Sequence, residues 1–359
     1  MTIFVVNNAR PHTGEGVYAK LLSQAALQQR FLNLIMEPNS DTDDAFQQSI
    51  FLPFSKSRLL SRWRSTRFLT SAIDHRLQKL YLDKHLSAEL GNNRKSEGTI
   101  VHYSNPSIPP VGRGMEAVTI HDVFYLTEKQ NILDPHRTAT RRNFSQYRKF
   151  KNVIAASNCT RNQLISEGFA GRISVIRHAA GSAFRQMNDK IKARTSLGLP
   201  LDKFLILSVS SRANRKNLPL VKETLSLLGQ QYKLVRVGES IGDDISFSGV
   251  SDEQLNLIYN ACDVLLFPTL NEGFGLPVAE AFVAGLPVVA SDIEIMQEIT
   301  MGAAILTDNN SSKLKAAIKE AMVGRSDLAE KLERVRAYYK LERFRSEMKV
   351  YYERILDNA

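Results

Sequence analysis

The chain has 359 residues, 43% hydrophobic and 23% charged, with a formal net charge of +10. At roughly 100–200 residues per domain, this length predicts two domains. Two distant cysteines, Cys159 and Cys262, exclude a disulfide scaffold and a cysteine zinc site, and they point to a reducing compartment. The charge is uneven: residues 1–182 hold 24 Lys and Arg against 14 Asp and Glu, whereas residues 183–359 hold 23 of each. The first half therefore carries the whole excess, which suits an anionic partner.

The N-terminus has no basic n-region and no adequate apolar run. It reads as a first strand, Ile3–Asn7, and not as a signal peptide. Thr13-Gly14-Glu15-Gly16-Val17-Tyr18-Ala19 follows. With Glu37 it fits a dinucleotide pattern, but too many residues separate it from the strand for a tight phosphate turn. Lys56, Arg58, Arg62, Arg64 and Arg67 then interleave with Leu59, Leu60, Trp63 and Phe68. Strands are expected at Ile100–Tyr103 and Ala117–His121, the second ending in His121-Asp122. At a strand end His121 can face a ligand; the plainer reading is a strand-end His, with Asp122 capping the next turn. Arg137, Arg141, Arg142, Arg148, Lys149 and Lys151 form a second basic cluster. Such clusters suit an anionic membrane surface, or are solvated helix faces. No motif supports nucleic-acid binding.

Strands Asn152–Ala156 and Ile173–Ile176 lead to a loop-rich break at Arg177–Asp202, with the domain boundary placed near 182. Strands Phe204–Val209, Lys233–Val237, Val264–Phe267 and Pro287–Ala290 follow, and a helical, charged segment spans Leu328–Leu356. Short apolar runs alternating with helical patterns predict α/β structure, as two Rossmann-like domains with parallel sheets. The longest apolar stretch, Gly275–Ala290, contains Glu280, Gly285 and two prolines and is no membrane span.

That stretch belongs to the most informative segment. A buried strand, Val264–Phe267, meets a loop, Pro268 to Gly275, and then a helix with Pro277 in its first turn and Gly285 at its end. The amides of Gly273, Phe274, Gly275 and Leu276 would point from a helix N-terminus into the crevice where open α/β sheets bind ligands, a place that favours anions. Glu272 and Glu280 could reach different parts of one elongated ligand. Alternatively, Glu272 caps the helix and Glu280 is solvated, although an unpaired acid among such apolar neighbours is costly. Arg212, Arg215 and Lys216 follow the strand Phe204–Val209, where cations can clamp a diphosphate.

Glu272-Gly273-Phe274-Gly275-Leu276-Pro277-Val278-Ala279-Glu280, with the preceding Asp252–Phe267, resembles the paired-glutamate motif of family 4 (group 1) of the retaining glycosyltransferases. The resemblance implies the GT-B architecture: an acceptor domain (1–182) and a nucleotide-sugar domain (183–338) facing a cleft, and a C-terminal helix (339–359) packing back on the first. It implies that Glu272 handles the donor sugar and Glu280 the ribose, with the amides of Gly273 to Leu276 on sugar and phosphate oxygens. Arg215-Lys216-Asn217 resembles the diphosphate site. The family often has a Gly early in that turn; Ser210 and Ser211 stand there, and Arg212 is an extra cation, leaving Arg212 or Arg215 open. Gly14 and Gly16 resemble a glycine loop over the reaction centre, and His121 a histidine of the acceptor domain.

The implied activity is that of a metal-independent, retaining hexosyltransferase without a cofactor. Its donor would be a GDP- or UDP-sugar, with GDP-mannose preferred, and its acceptor a glycan or lipid-linked glycan. The implied place is the cytoplasm, peripherally at the inner membrane face. The alternatives are a nucleotide-sugar epimerase or hydrolase of the same fold, a non-catalytic anionic-surface binder, and a nicotinamide dehydrogenase.

Overall fold

The computed structural model describes residues 2–7, 13–24, 29–35, 49–51, 79–80, 82–88, 98–127, 135–323 and 326–358. The chain divides into two compact units, one of Met1–Arg177 with Arg345–Ala359 and one of His178–Phe344. The first break precedes residue 182 because Ala180 donates its N–H to Tyr339 O at 2.9 Å and Arg343 donates to His178 O at 3.0 Å, within the second unit.

In the first unit the strands are β1 (Thr2–Asn7), β2 (Gln29–Ile35), β3 (Ser49–Phe51), β4 (Thr99–Tyr103), β5 (Met115–Ile120), β6 (Asn152–Ala155) and β7 (Arg172–Val175). They form one parallel sheet in the order β3-β2-β1-β4-β5-β6-β7. Its described helices are α1 (Gly14–Gln24), α2 (82–88), α3 (Phe124–Thr127), α4 (Pro135–Tyr147) and α5 (Asn158–Ser166). Parallel strands are covered on both faces, so β1 reads as the unbroken buried run Ile3, Phe4, Val5, Val6. Ser157 caps α5 by accepting from Thr160 N at 3.0 Å.

The second unit starts with α6 (Lys190–Ser196). It continues with β8 (Phe204–Val209), α7 (Leu218–Ser226), β9 (Tyr232–Val237), β10 (Asp244–Phe247), α8 (Asp252–Ala261) and β11 (Val264–Phe267). After these come α9 (Leu276–Ala284), β12 (Val288–Ser291), α10 (Glu294–Thr300), β13 (Ile305–Thr307), α11 (Ser311–Val323), α12 (Ser326–Tyr338) and α13 (Leu341–Asp357). Its sheet is parallel, in the order β10-β9-β8-β11-β12-β13. In both sheets the order reverses once, between β1 and β4 and between β8 and β11. At such switch points the loops leaving the two central strands diverge and open a crevice at their carboxyl ends.

The segment Leu328–Leu356, expected to be helical, forms two helices, α12 and α13. From residue 345 onward α13 is part of the first unit. It buries Met348, Tyr351, Tyr352 and Ile355 on one face, at helical spacing. Tyr352 OH lies 2.6 Å from His102 Nδ1, His102 Nε2 lies 2.8 Å from Thr119 Oγ1, and Tyr18 OH lies 2.8 Å from the same oxygen. This buried chain ties α13, β4, β5 and α1 together. Burial, and to a lesser extent His121 nearby, lowers the His102 pKa from 6.5 to about 3, so the ring is neutral. Removing one partner leaves a buried polar atom unsatisfied. Tyr352→Phe is therefore expected to cost about 1–3 kcal/mol in urea unfolding at pH 8. An unchanged unfolding midpoint would show that the chain of hydrogen bonds adds nothing to stability.

Candidate active site

The second unit's switch point assembles most of the residues singled out in the sequence. After β8 the chain makes a short 3₁₀ turn, Asn214–Lys216, and Asn217 takes a left-handed conformation before α7. After β11 comes the loop Pro268–Gly275. The two loops are stitched together: Leu270 N donates to Arg215 O at 2.7 Å and Thr269 Oγ1 donates to the same oxygen at 2.9 Å.

Glu272 sits where the loops meet, with 8% of its surface exposed. Its Oε1 accepts from Lys216 Nζ, from Arg215 Nη1 at 2.8 Å and from Thr269 Oγ1 at 3.2 Å. Lys216 also lies 5.1 Å from the centre of the Phe267 ring. Glu272 does not cap α9, which has no side-chain cap. One carboxylate thus gathers two cations. Arg212, left open beside Arg215, turns away: it pairs with Glu239 at 2.7 Å and donates to Ser240 O at 2.7 Å.

The glycine loop enters α9 through Gly275, whose φ of 95° strains other residues, and a Cβ there would meet Ile299 Cδ1 and Met296 Cε at 3.1 Å. With no capping side chain, the N-terminal turn of α9 presents backbone alone. Phe274 anchors the loop from behind. Its buried ring packs on His178 at 4.8 Å and on Tyr339 at 6.0 Å, so any ligand contact falls to its backbone. Gly273 and Leu276 flank these two positions.

Glu280 is also buried, but it has a partner: Tyr259 OH on α8 donates to its Oε2 at 2.8 Å. Burial raises the Glu280 pKa from 4.5 to about 7, with Asp252 adding to the shift and the Tyr259 bond opposing it. The carboxyl group is therefore half-protonated near neutrality.

In the first unit, Gly14 opens α1, and Gly16 is buried and donates its N–H to Thr13 Oγ1 at 3.1 Å. His121 lies just past β5. Its Nε2 donates to Ser104 O at 2.8 Å, and its ring packs edge-on against Tyr18 at 4.7 Å. Burial lowers the His121 pKa to about 4, so the ring is neutral. Asp122 accepts from Phe124 N at 3.1 Å, as the plainer reading had it. Burial first, and Asp122 second, raise the Glu15 pKa to about 7. Glu15 stands inside the glycine motif, and only burial singles it out; Tyr259 and Thr269 had no sequence signal.

Among the described residues, no group of three or more His, Cys, Asp or Glu could hold a metal ion. None of the described helices is long and apolar enough to cross a membrane. Arg141, Arg142, Lys149 and Lys151 are exposed, and Arg148 pairs with Glu167 at 3.2 Å. The cluster from Lys56 to Phe68, and Glu37, lie outside the described residues, as does the side chain of Arg137.

Comparisons with known proteins agree with this architecture. The family described as glycosyl transferases group 1 matches residues 189–340. The serotype-specific mannosyltransferase WbdA of Escherichia coli is 29% identical over 209 residues, which cover 50% of this chain and 25% of WbdA. The chain thus spans a quarter of the length of that relative. A sucrose-phosphate synthase from Thermosynechococcus elongatus superposes with a TM-score of 0.75 at 18% identity, covering 100% of both chains. Anabaena Alr3699/HepE, in complex with UDP-glucose, does so with a TM-score of 0.68 at 15% identity, again over 100% of both. The second unit is a glycosyl transferases group 1 domain, in a chain of GT-B fold.

Proposed function

We propose that the protein transfers a hexose from a nucleoside diphosphate sugar to a glycan or lipid-linked glycan, with retention of configuration. The observation that carries this reading is the Glu272–Arg215–Lys216 cluster beside the uncapped start of α9. Cleavage of the donor leaves a diphosphate with new negative charge and an oxocarbenium-like sugar. Arg215, Lys216 and the backbone of Gly273, Phe274, Gly275 and Leu276 stabilise that charge. Glu272 keeps the two cations in place and receives sugar hydroxyls; Glu280 receives those of the ribose. Two fixed cations and a helix N-terminus supply the charge stabilisation that a metal ion gives elsewhere, so we propose a metal-independent reaction. Retention and the departing phosphate's role in deprotonating the acceptor rest on the family resemblance. Mannose is the preferred sugar, because WbdA is named a mannosyltransferase; UDP-glucose, bound in HepE, is the competing donor.

The first unit is assigned the acceptor; neutral His121 would contact the donor sugar or orient the acceptor, and Gly14 and Gly16 would serve donor binding. The exposed basic residues of α4 and its following turn suit the anionic headgroups of a membrane or a lipid-linked acceptor. The proposed place is the cytoplasm, at the inner face of the membrane.

A ligand that binds only the native state raises the melting temperature. We expect one nucleotide class among GDP, UDP, ADP and their sugars to do so, and failure of all of them would end this reading. Lys216→Ala is expected to lower kcat by about 10²–10³-fold in a sugar-transfer assay, since it removes a charge aimed at the leaving group. Ribose hydroxyls donate to the ionised form of Glu280. Affinity for the nucleotide sugar should therefore rise as pH increases toward about 7, by up to about tenfold per unit, and then level off. Glu280→Gln should flatten that profile in calorimetry; an identical profile in the variant would remove the ribose assignment. Replacing Arg141, Arg142, Lys149 and Lys151 with Ala should release the protein from vesicles of anionic lipid, at about 1 kcal/mol per charge. Equal sedimentation of variant and parent would discard the membrane surface.

A further inference from the structure

Arg236, on β9 beside β8, has no part in the proposed donor site so far. It is 0% exposed. Its guanidinium donates through Nε to Glu239 O at 3.0 Å, through Nη1 to Ser208 Oγ at 3.1 Å and Ser210 Oγ at 3.2 Å, and through Nη2 to Ser210 O at 2.8 Å. Every one of these acceptors is neutral. Asp244 and Glu239 lie close enough to favour its charged form, but neither carboxylate is hydrogen-bonded to it. Glu239 turns its carboxylate to Arg212, and Asp244 Oδ1 accepts from Ser240 Oγ, Ile241 N and Gly242 N.

A buried cation without a bonded carboxylate is costly, and an apolar residue of similar size on β9 would avoid the cost. The backbone is also shaped to admit it. Gly238 has a φ of 136°, and a Cβ there would stand 2.4 Å from Ser210 O and 2.9 Å from Arg236 Nη2. Glycine at this place lets the guanidinium close over the end of β8. Ser210 is the first residue after β8 and begins the turn that carries Arg215 and Lys216.

We propose that Arg236 is a further positioning residue of the donor site. It clamps Ser210 by side chain and backbone together, and it places a cation to which no carboxylate is hydrogen-bonded at the start of the turn over which the diphosphate binds. It does not touch the ligand. Its charge acts through protein, where low polarisability makes a fixed cation more effective than in water. The proposal rests on the reading that this unit binds a nucleoside diphosphate. It also accounts for the serine at position 210, whose hydroxyl is one of the clamped groups.

The test compares the affinity of the full-length protein for a nucleoside diphosphate with that for the corresponding nucleoside, by calorimetry. Arg236→Gln removes the charge and is expected to weaken the diphosphate on the order of tenfold or more, while the nucleoside changes by less than about twofold. Arg236→Lys keeps the charge and should retain diphosphate affinity within about threefold of the parent. Equal loss for both ligands would reduce Arg236 to a structural role and overturn the proposal. So would unchanged diphosphate affinity in Arg236→Gln, or an Arg236→Lys variant as weak as Arg236→Gln. Should Arg236→Gln not fold, Arg236→Met, an uncharged side chain of similar length, carries the test. Its expected signature is again a loss on the order of tenfold or more in diphosphate affinity with none for the nucleoside, and loss for both or for neither overturns the proposal. A parent protein that binds neither ligand overturns the proposed function as well, so the two failures are distinguishable.

Discussion

Glu272 drawing Arg215 and Lys216 onto one carboxylate oxygen is the contact on which the second unit's site depends. Two cations left alone in a short turn would repel each other and point into solvent. A nearly buried carboxylate between them reverses that tendency and brings together two loops separated by more than fifty residues. The hydrogen bonds of Thr269 and Leu270 to Arg215 O lock the arrangement from the backbone side. The cluster is worth more for its geometry than for stability, since the gain from pairing buried charges is largely spent on their desolvation. Cations fixed in advance in this way need no reorganisation to face an anion.

The same economy recurs around it. Phe274 is buried among aromatic rings so that the neighbouring glycines can present backbone alone. Glu280 is held by Tyr259 in a buried site that raises its pKa to about 7. In the first unit the buried chain Tyr18–Thr119–His102–Tyr352 anchors the end of the chain to the central strands, and next to it His121 is kept neutral. Glu272, Glu280, His102 and His121 each have a partner that fixes their direction at low exposure.

Much of the fold was legible because parallel, doubly covered strands must be apolar throughout. Val264–Phe267 and Phe204–Val209 were placed to the residue. The strands overlooked were β2 and β3 and, in the second unit, the edge strands β10 and β13. β10 and β13 are four and three residues long and half-covered, so neither needs an apolar run. Gly275, Pro277 and Gly285 marked both ends of α9 because left-handed backbone and a missing N–H leave few residues to choose from.

The α/β alternation, the paired glutamates and the basic turn are local patterns with local physical causes, legible in the order of residues. Which cation belongs to the cluster was settled by contacts between distant segments. Arg212 and Arg215 are three residues apart in one turn and equal on paper, yet one faces Glu239 and the other Glu272. Only the tertiary structure gave Glu280 its Tyr259 and set Arg236 under Ser210, since those partners lie 21 and 26 residues away. Side-chain pairing of this kind depends on how strands are ordered across a switch point, and no spacing along the chain records that order.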